Sequence, residues 1–331
     1  MKDSSLLVSV VIPAYNAATT IAATLRSVQA QTHAHMEILV VDDGSTDDGP
    51  AIAQKFATDD PRIRLIRQAN AGVAAARNNG WKQAKSDYIA FVDADDLWTA
   101  DKIERQLAAL LAAGPDAGLA YSWYVMIDAQ DRVTYRGEGP RFSGKVLDTL
   151  ITNNFIGNGS AALVRRTAIE AAGGFEPALR DADAQGCEDI LFYCRVAERH
   201  TFAVVEDYQI GYRQLPDNMS SNLPRMLRSW IIVLDEMRRK YPEKAPIIQQ
   251  GLKGYGQWVV RRAVHTRKPR SVLTLAAIIA RQSPTLAVKL LFVEAPRTAI
   301  EMLRWKFAPP APPSQATEPD THPYSIGKVF A

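Results

Sequence analysis

The sequence predicts an α/β protein whose first part folds into a mostly parallel sheet with helices on both faces. The first observation is that strand-like and helix-like segments alternate four times in about 110 residues, as in βαβ units. The second is that the strand-like segments are continuously apolar, as expected of strands covered on both faces. The third is a change of texture, because from residue 225 the chain becomes helical and basic.

Four apolar segments are predicted to be strands, at residues 7–12, 37–43, 62–68 and 87–92. Each precedes apolar residues at helical spacing, which mark four predicted helices: Ile21, Leu25 and Val28; Ile52 and Phe56; Val73, Ala76 and Trp81; and Ile103, Leu107 and Leu110. We predict that Asn16 caps the first helix. Ligands of such sheets bind at the carboxyl ends of the strands, so residues 13–15, 42–43 and 93–95 should line one crevice.

After residue 115 the alternation weakens. Shorter strands are predicted within residues 117–128, 132–136, 156–164, 201–207 and 210–215. Residues 186–200 begin with acidic side chains and continue as a predicted helix. The proline-rich tail, residues 308–331, is predicted to be disordered.

The cysteine content and the apolar runs bear on the compartment. Cys187 and Cys194 are seven residues apart in the predicted helix, which is too far for an easy disulfide, so we expect two core thiols in a reducing compartment. Residues 1–8 lack the apolar core of a secretory signal, and no apolar run reaches the ~18 residues of a membrane span. We therefore expect the chain on the cytoplasmic side.

The segment FVDADDLW, residues 91–98, places three carboxylates directly after a buried strand: Asp93, Asp95 and Asp96. Asp-x-Asp at a strand end can hold Mg²⁺ or Mn²⁺ together with substrate phosphates. An ordinary acidic turn explains the pattern equally well when it is taken alone, because Asp is common in turns. The carboxylate pair at residues 42–43, predicted at the same sheet edge, favours the cation.

Two further features point to a phosphate-bearing ligand. Gly72 begins a predicted helix whose free N–H groups can face an anion, and Arg77 lies one turn further along that helix. The chain has no GxxxxGK[ST] loop, and no GxGxxG follows the first strand. These absences argue against a P-loop nucleotidase and against a dinucleotide-dependent oxidoreductase.

At this point the chain resembles the family 2 glycosyltransferases. The resemblance covers about residues 7–215 and is carried by four blocks in order: VSVVIPAYNAATTIAATLRSVQAQT, EILVVDDGSTD, NAGVAAARNNGWKQAKSDYIAFVDADD and GCED. It implies the GT-A fold and an inverting, metal-dependent enzyme that takes its sugar from a nucleoside-diphosphate donor. Residues 1–224 would form the catalytic domain, with a nucleotide-sugar half to about residue 115 and an acceptor half over 116–224.

The resemblance also implies roles for individual residues. Several would bind the nucleotide or its phosphates: Pro13, Ala14 and Tyr15 at the base and ribose, Asp43 at the base, Arg77 near the base or phosphates, and Arg213 over the diphosphate. In the triplet of Asp93, Ala94 and Asp95, the first would reach the ribose or metal-bound water and the last would coordinate Mn²⁺ or Mg²⁺. Asp189 would be the catalytic base, with Glu188 beside it.

Alternatives remain open at this stage. Asp189 also suits the first turn of a helix, where acids favour the helix dipole, and Arg213 also fits a surface or sheet residue. At the level of function, a nucleotidyltransferase or a non-catalytic nucleotide-sugar-binding scaffold would share the sheet and the carboxylates. The favoured prediction is transfer of a single sugar to a glycan or lipid-linked acceptor in bacterial surface polysaccharide synthesis.

The region 225–307 contains 17 Lys or Arg and five Asp or Glu. Two interpretations remain equally open: a helical appendage packed on the catalytic domain with a solvated basic face, or a peripheral contact with the inner face of an anionic membrane. Nucleic acid is not expected to be a partner, because no recognised binding module accompanies the charge.

Overall fold

The structure is a computed structural model that describes residues 5–215 and 218–307, without the side chains of 304–307. The alternation predicted for the first part is confirmed. The elements are β1 (Val8–Ala14), α1 (Ile21–Gln29), β2 (Met36–Asp42), α2 (Gly49–Asp59), β3 (Ile63–Arg67), α3 (Val73–Gln83), β4 (Tyr88–Phe91), β5 (Leu97–Trp98) and α4 (Lys102–Ala112). The tail predicted to be disordered lies outside the described residues.

The middle of the chain completes the sheet. Its elements are β6 (Ala117–Ile127), β7 (Val133–Arg136), α5 (Leu147–Thr152), β8 (Ala162–Arg165), α6 (Arg166–Ala172), α7 (Ala178–Asp181), α8 (Glu188–Ala197) and β9 (Thr201–Arg213). The two short strands predicted after residue 200 are wrong as separate elements, because β9 is one strand of 13 residues. It stays continuous because it pairs with β6 along its length, through irregularities in the register.

The strands of the described residues form one mixed sheet in the order β3-β2-β1-β4-β8-β6-β9-β5, with β7 beside β6. The first four strands are parallel to one another, as predicted. β8 then enters antiparallel to both β4 and β6, and β9 runs parallel to β6. The carboxyl ends of β1, β2 and β4 therefore lie side by side at one edge, where the sequence motifs end.

Close packing of α3 on the sheet depends on a glycine. A Cβ on Gly80 would lie 2.3 Å from Cγ1 of Val11 in β1, so only glycine lets the helix approach this strand. Val11 itself is fully buried between its neighbours in β2 and β4. The depth of α3 against β1 matters because this helix carries Arg77 towards the edge of the sheet.

The prediction that Asn16 caps the first helix is wrong. α1 begins at Ile21 after Thr20, and Asn16 has a positive φ of 50°. The Asn16 side chain instead accepts a hydrogen bond from the backbone N–H of Thr46, at 2.8 Å. It therefore ties the loop after β1 to the loop after β2, which sequence spacing does not reveal.

The basic region forms five helices in the described residues: α9 (Leu223–Lys240), α10 (Ala245–His265), α11 (Pro269–Ala280), α12 (Pro284–Lys289) and α13 (Ala295–Phe307). α9 packs against α8 and α10 packs against α5, and Trp230 of α9 stacks on Tyr255 of α10 with ring centroids 4.9 Å apart. Cys187 donates its backbone N–H to Ser229 Oγ at 3.1 Å. The two cysteines are buried and free of disulfides, as predicted.

Candidate active site

The carboxyl ends of the central strands are joined by backbone hydrogen bonds. Asp43 N–H donates to the carbonyl of Ala14 at 2.8 Å, and Val92 N–H donates to the carbonyl of Val11 at 3.1 Å. Pro13 is buried, whereas the Tyr15 side chain is 53 % exposed at the end of β1. The edge therefore offers an accessible aromatic ring above a rigid backbone frame.

The Asp43 carboxylate holds the loop that leads into α3. It accepts hydrogen bonds from Gln68 Nε2 at 2.8 Å, from Ala71 N at 2.7 Å and from Gly72 N at 2.8 Å. Asn70 donates to the Asp43 carbonyl at 2.9 Å. Gly72 has a φ of 90°, a conformation that favours glycine, and it precedes the first turn of α3. In this structure Asp43 thus fixes the start of α3, and its contact with a base stays a prediction.

Three consecutive residues of α3 tie the helix to three different parts of the site. Arg77 Nη2 lies 2.6 Å from Asp93 Oδ1. Asn78 donates to the Phe175 carbonyl at 2.8 Å and accepts from its N–H at 2.9 Å. Asn79 Nδ2 donates to Gln68 Oε1 at 2.7 Å. These three residues therefore fix the position of α3 relative to Asp93, to the segment before α7 and to the loop held by Asp43.

Arg77 is a buried cation at the centre of the site. Its side chain is almost wholly covered, its guanidinium carbon lies 5.2 Å from the centre of the Phe175 ring, and a Cβ on Gly159 would lie 2.2 Å from Nη2. Burial acts to lower its pKa, but the charges of Asp93 and Asp189 outweigh burial and raise it. Arg77 Nε has no hydrogen-bond partner among the described residues.

The acidic turn, residues 93–96, contains both accessible and buried carboxylates. Asp93 and Asp95 are partly exposed, whereas Asp96 is fully buried. Burial and the neighbouring charge of Asp93 raise the pKa of Asp95 to about 6. Asp96 accepts hydrogen bonds from Ser160 Oγ at 2.6 Å and from Arg213 N at 2.9 Å, so it serves to hold the turn in place.

The first and third residues of the turn fit a divalent cation of the Mg²⁺ or Mn²⁺ type. No group of three or more His, Cys, Asp or Glu in residues 5–215 and 218–307 is arranged to hold a metal by itself. Such an ion needs only one or two carboxylates when substrate phosphates and waters complete its shell. The charge of Asp93 helps to raise the pKa of Asp95, and a bound cation would offset this repulsion.

Residues 158–160 belong to the site, although their sequence was interpreted only as part of a strand. Ser160 Oγ accepts from Asp93 N at 2.9 Å, besides its contact with Asp96. Asn158 is 4 % exposed, its Oδ1 accepts from Ser160 N at 3.0 Å, and its Nδ2 has no partner among the described residues. The available signal was the run of small polar residues, GNGS, directly before an apolar strand.

Asp189 lies in the first turn of α8, where its Oδ1 accepts from Ile190 N at 2.7 Å. Burial raises its pKa to about 6, although the nearby charge of Arg77 acts in the opposite direction. Glu188 is buried, and its Oε2 accepts from Gly186 N at 2.8 Å. The helix-dipole interpretation and a proton-accepting role are therefore compatible, since the helix orients a carboxylate whose pKa lies near neutrality.

Arg213 is the last residue of β9 and is 3 % exposed, so it is a buried sheet residue. Its guanidinium donates to the carbonyls of Asp95 at 2.6 Å and Asp128 at 3.0 Å, and pairs with Asp131 at 2.5 Å. The structure therefore brings Arg213 against the acidic turn. A contact with a diphosphate would require this side chain to exchange some of these partners.

A buried lysine lies behind the acidic turn. Lys102 is fully buried in the first turn of α4, with Nζ 2.9 Å from Gln106 Oε1 and 3.9 Å from the centre of the Trp98 ring. Trp98 in turn donates to the Ser160 carbonyl at 3.0 Å. Burial lowers the pKa of Lys102 well below its ordinary value.

A surface cavity of about 490 Å³ lies away from these residues, between α6, α8 and α9. Its charged walls pair with one another, since Arg195 contacts Glu236 at 2.8 Å and Lys240 contacts Glu198 at 2.7 Å. None of the predicted site residues lines it. Of the predicted site residues, Arg77 and Arg213 instead contact the acidic turn, and Asp43 fixes the loop before α3, the helix that carries Arg77.

Comparison with known proteins identifies the family and the fold of the chain. A family profile described as glycosyl transferase family 2 matches residues 9–173. The Escherichia coli protein WfgD, named as a UDP-Glc:α-D-GlcNAc-diphosphoundecaprenol β-1,3-glucosyltransferase, is 44 % identical over 106 residues, which are 32 % of this chain and 41 % of WfgD. The matched segment spans less than half the length of the first curated relatives.

Solved structures share the fold over nearly the whole chain. The mannosyltransferase PcManGT from Pyrobaculum calidifontis, in complex with GDP-Man and Mn²⁺, gives a TM-score of 0.57 at 19 % identity, covering 93 % of this chain and 90 % of that one. S. aureus TarS 1–349, in complex with UDP, gives 0.52 at 18 % identity, covering 91 % and 92 %. The fold is GT-A with a C-terminal helical region, and the chain belongs to glycosyl transferase family 2.

Proposed function

We propose that this chain is an inverting glycosyltransferase that moves a single sugar from a nucleoside-diphosphate donor to a glycan or lipid-linked acceptor. The donor would be a UDP-sugar and the product a bacterial surface polysaccharide. One observation carries the proposal: the buried Arg77 lies 2.6 Å from Asp93 of the acidic turn, and the charge of Asp189 acts on the same guanidinium. A proton acceptor and an anion-binding group would thus meet in one place.

The donor would lie along the edge formed by the strand ends. Tyr15 and the backbone around Asp43 would receive the base and ribose, and Arg77 would face the diphosphate. Arg77 Nε and Asn158 Nδ2 are buried donors without partners among the described residues. Buried donors are normally satisfied, so oxygens of the diphosphate or of the sugar are fitting partners for both.

Asp95, assisted by Asp93, would hold Mn²⁺ or Mg²⁺. When bound, the cation supplies Lewis-acid stabilisation of the charge that develops on the departing diphosphate. Arg77 adds a fixed positive charge from the protein itself, and its contact with Phe175 keeps the guanidinium in position. Because Arg77 is desolvated, its charge acts more strongly than it would in water.

Asp189 would take the proton from the attacking hydroxyl of the acceptor. Its Oδ1 accepts a hydrogen bond from Ile190 N, and Oδ2 would face the acceptor. A base with a pKa near the working pH typically contributes about 10²–10⁴-fold to the rate. Direct attack on the face opposite the leaving group inverts the anomeric carbon and needs no nucleophile from the protein.

The printed descriptions of relatives support the substrate classes. WfgD is named for UDP-Glc and a diphosphoundecaprenol-linked acceptor, and the TarS structure contains UDP. PcManGT was solved with GDP-Man and Mn²⁺, so the GT-A fold also accommodates guanosine donors. A lipid-linked acceptor would place the reaction at the cytoplasmic face of the membrane.

The test combines donor binding with turnover. Thermal-shift screening of UDP-, GDP- and dTDP-sugars with and without Mn²⁺ identifies the donor. Asp189→Asn should then bind that donor like wild type and lose about 10²–10⁴-fold in transfer to acceptor. The exposed Asp59→Asn, on α2, is the control and should keep both properties.

Each rival predicts a different result. A nucleotidyltransferase would release pyrophosphate from a nucleoside triphosphate and a sugar phosphate. A binding scaffold would bind the donor but show no transfer in wild type. Wild-type transfer rates in Asp189→Asn would refute the assignment of the base while leaving the reaction class intact.

A further inference from the structure

The last helices of the described chain expose an apolar stripe. α12 continues through a π-helical turn, Leu290–Glu294, into α13, a path of about 36 Å at 1.5 Å per residue. Five residues of this path define what we call the outer face: Val288, Phe292, Val293, Ile300 and Leu303. They are exposed by 57, 72, 61, 51 and 52 %, respectively.

Helical geometry places these residues together. Val288 and Phe292 are four residues apart, as are Phe292 and Pro296, and Pro296 and Ile300, so each follows the last by roughly one turn. In a regular α-helix such a row drifts around the axis. The π-turn accommodates one extra residue and resets the drift, so Ile300 and Leu303 remain on the side of Val288.

The inner side of the same helices is partly polar. Glu294 is 7 % exposed, pairs with Arg261 of α10, and accepts from Gln257 Nε2 at 3.3 Å. Thr298 is 2 % exposed, and its hydroxyl donates to the Glu294 carbonyl at 2.8 Å. A helix facing water normally shows the opposite polarity. An inward carboxylate with outward Phe, Val, Ile and Leu indicates that the outer face meets an apolar surface.

Positive charge flanks the stripe. Lys289 and Arg297 lie beside it, each one turn from Val293, and Arg297 pairs with the exposed Glu301 at 2.9 Å, so among the described side chains Lys289 supplies the uncompensated charge on this helix path. The neighbouring α11, which packs on α12, begins among exposed basic residues, and it also exposes Leu273 by 62 %. The exposed basic residues of this part are Arg267, Lys268, Arg270 and Arg281. A second copy docked face to face would bring these positive charges together, whereas an anionic surface would complement them.

We propose that the outer face of α12–α13 binds the surface of an anionic lipid bilayer, with Phe292 and Val293 inserted among the lipids and Lys289 at the headgroups. Apolar helices with flanking Lys and Arg bind membranes in this way, lying in the plane of the interface. None of the helices in residues 5–215 and 218–307 has the length and apolar character of a membrane span. The inference stands on this face and is independent of the transferase activity.

The contact would hold the candidate site at a fixed height above the lipid. α13 packs on α10, and Tyr255 of α10 reaches Cys187, which lies directly before Glu188 and Asp189. α9 also contacts this loop, since Ser229 accepts from Cys187 N. A rigid path therefore connects the proposed lipid-binding face with the start of α8.

The experiment is flotation of the full chain with vesicles of phosphatidylcholine, with and without phosphatidylglycerol. Wild type should float with the anionic vesicles, and binding should weaken as salt is raised. The double variant Phe292→Ser/Val293→Ser should lose about tenfold or more in partitioning, because two apolar side chains no longer leave water. Lys289→Gln should lose about fivefold.

The matched control is Tyr135→Ser, which removes a side chain of similar exposure, 54 %, from β7 on the catalytic part. It should float like wild type, and melting curves should show that all variants are folded. Equal flotation of the double variant and wild type, or no flotation of wild type, would overturn the proposal. A wild-type dimer that dissociates in the double variant without vesicle binding would assign the face to a second copy instead.

Discussion

Replacing Asp189 by Asn should stabilise the protein above neutral pH, even though it abolishes the proposed base. Burial raises the pKa of Asp189 from its ordinary 3.8 to about 6. The folded state therefore binds a proton more tightly than the unfolded state does. Since the folded pKa is the higher of the two, the stability that the protonated carboxyl contributes is fully present below pH 3.8 and is lost as pH rises through about 6.

The magnitude follows from the shift. At about 1.36 kcal/mol per pKa unit, an ionised Asp189 carboxylate in the folded protein costs about 3 kcal/mol at pH values well above its folded pKa. Roughly half of this change falls between about pH 5 and about pH 8, where the comparison avoids acid unfolding. Asn does not titrate, so the stability advantage of Asp189→Asn over wild type should grow by about 1.4 kcal/mol across that interval.

The assay is urea unfolding of both proteins at a series of pH values, without donor or metal. Comparing the difference between variant and wild type at two pH values cancels any fixed steric effect of the amide. Asp59→Asn, an exposed carboxylate, gives the background for removing one negative charge. A difference that stays constant with pH, or shrinks towards alkaline pH, would refute the placement of Asp189 in a desolvated site.

Three further substitutions test the site's supports. Gly159→Ala places a Cβ 2.2 Å from Arg77 Nη2 and should displace the guanidinium. Calorimetry should then show donor affinity reduced by about tenfold or more, and the overpacking should lower the free energy of unfolding by about 1–3 kcal/mol. Ser160→Ala leaves Asp96 without its donor at 2.6 Å and should destabilise the fold by about 1–3 kcal/mol in urea. Lys102 has a lowered pKa, so stability should rise with pH towards 10.5, and Lys102→Met should flatten that rise.

Contrary outcomes are specific to each. Unchanged donor affinity in Gly159→Ala would mean that Arg77 does not contact the ligand. Wild-type stability in Ser160→Ala would mean that the hydrogen bond to Asp96 is not needed to hold the acidic turn. A pH dependence in Lys102→Met identical to that of wild type would assign the alkaline slope to other groups.

The first part of the fold follows from sequence because its signals are local. Continuous apolar strands such as Val8–Ala14 and helices with one apolar face need no knowledge of distant contacts. The strand Thr201–Arg213 was predicted as two pieces, 201–207 and 210–215, that leave out Tyr208 and Gln209, and pairing with β6 carries the strand across this gap. Asn16 was assigned to a cap for the same reason, since its partner Thr46 is 30 residues away.

The candidate site likewise contains features that local sequence predicts and features that depend on distant contacts. The proximity of aspartates at strand ends can be predicted from sequence, because the topology of a parallel sheet brings the carboxyl ends of its strands together. The buried links cannot be predicted in this way: Arg213 reaches Asp95 from 118 residues away. The glycine at 159 is explained only by the guanidinium lying against it. The polarity of α12–α13 is likewise invisible until the structure shows which side faces inward.

The most direct test of the central account is Mn²⁺ binding followed by electron paramagnetic resonance, with UDP present and absent. If Asp95 and the diphosphate share the ion, UDP should tighten Mn²⁺ binding in wild type and in Asp189→Asn, and should have no such effect in Asp95→Asn. Equal Mn²⁺ binding with and without UDP, or full retention of the effect in Asp95→Asn, would contradict a metal–diphosphate site at the acidic turn.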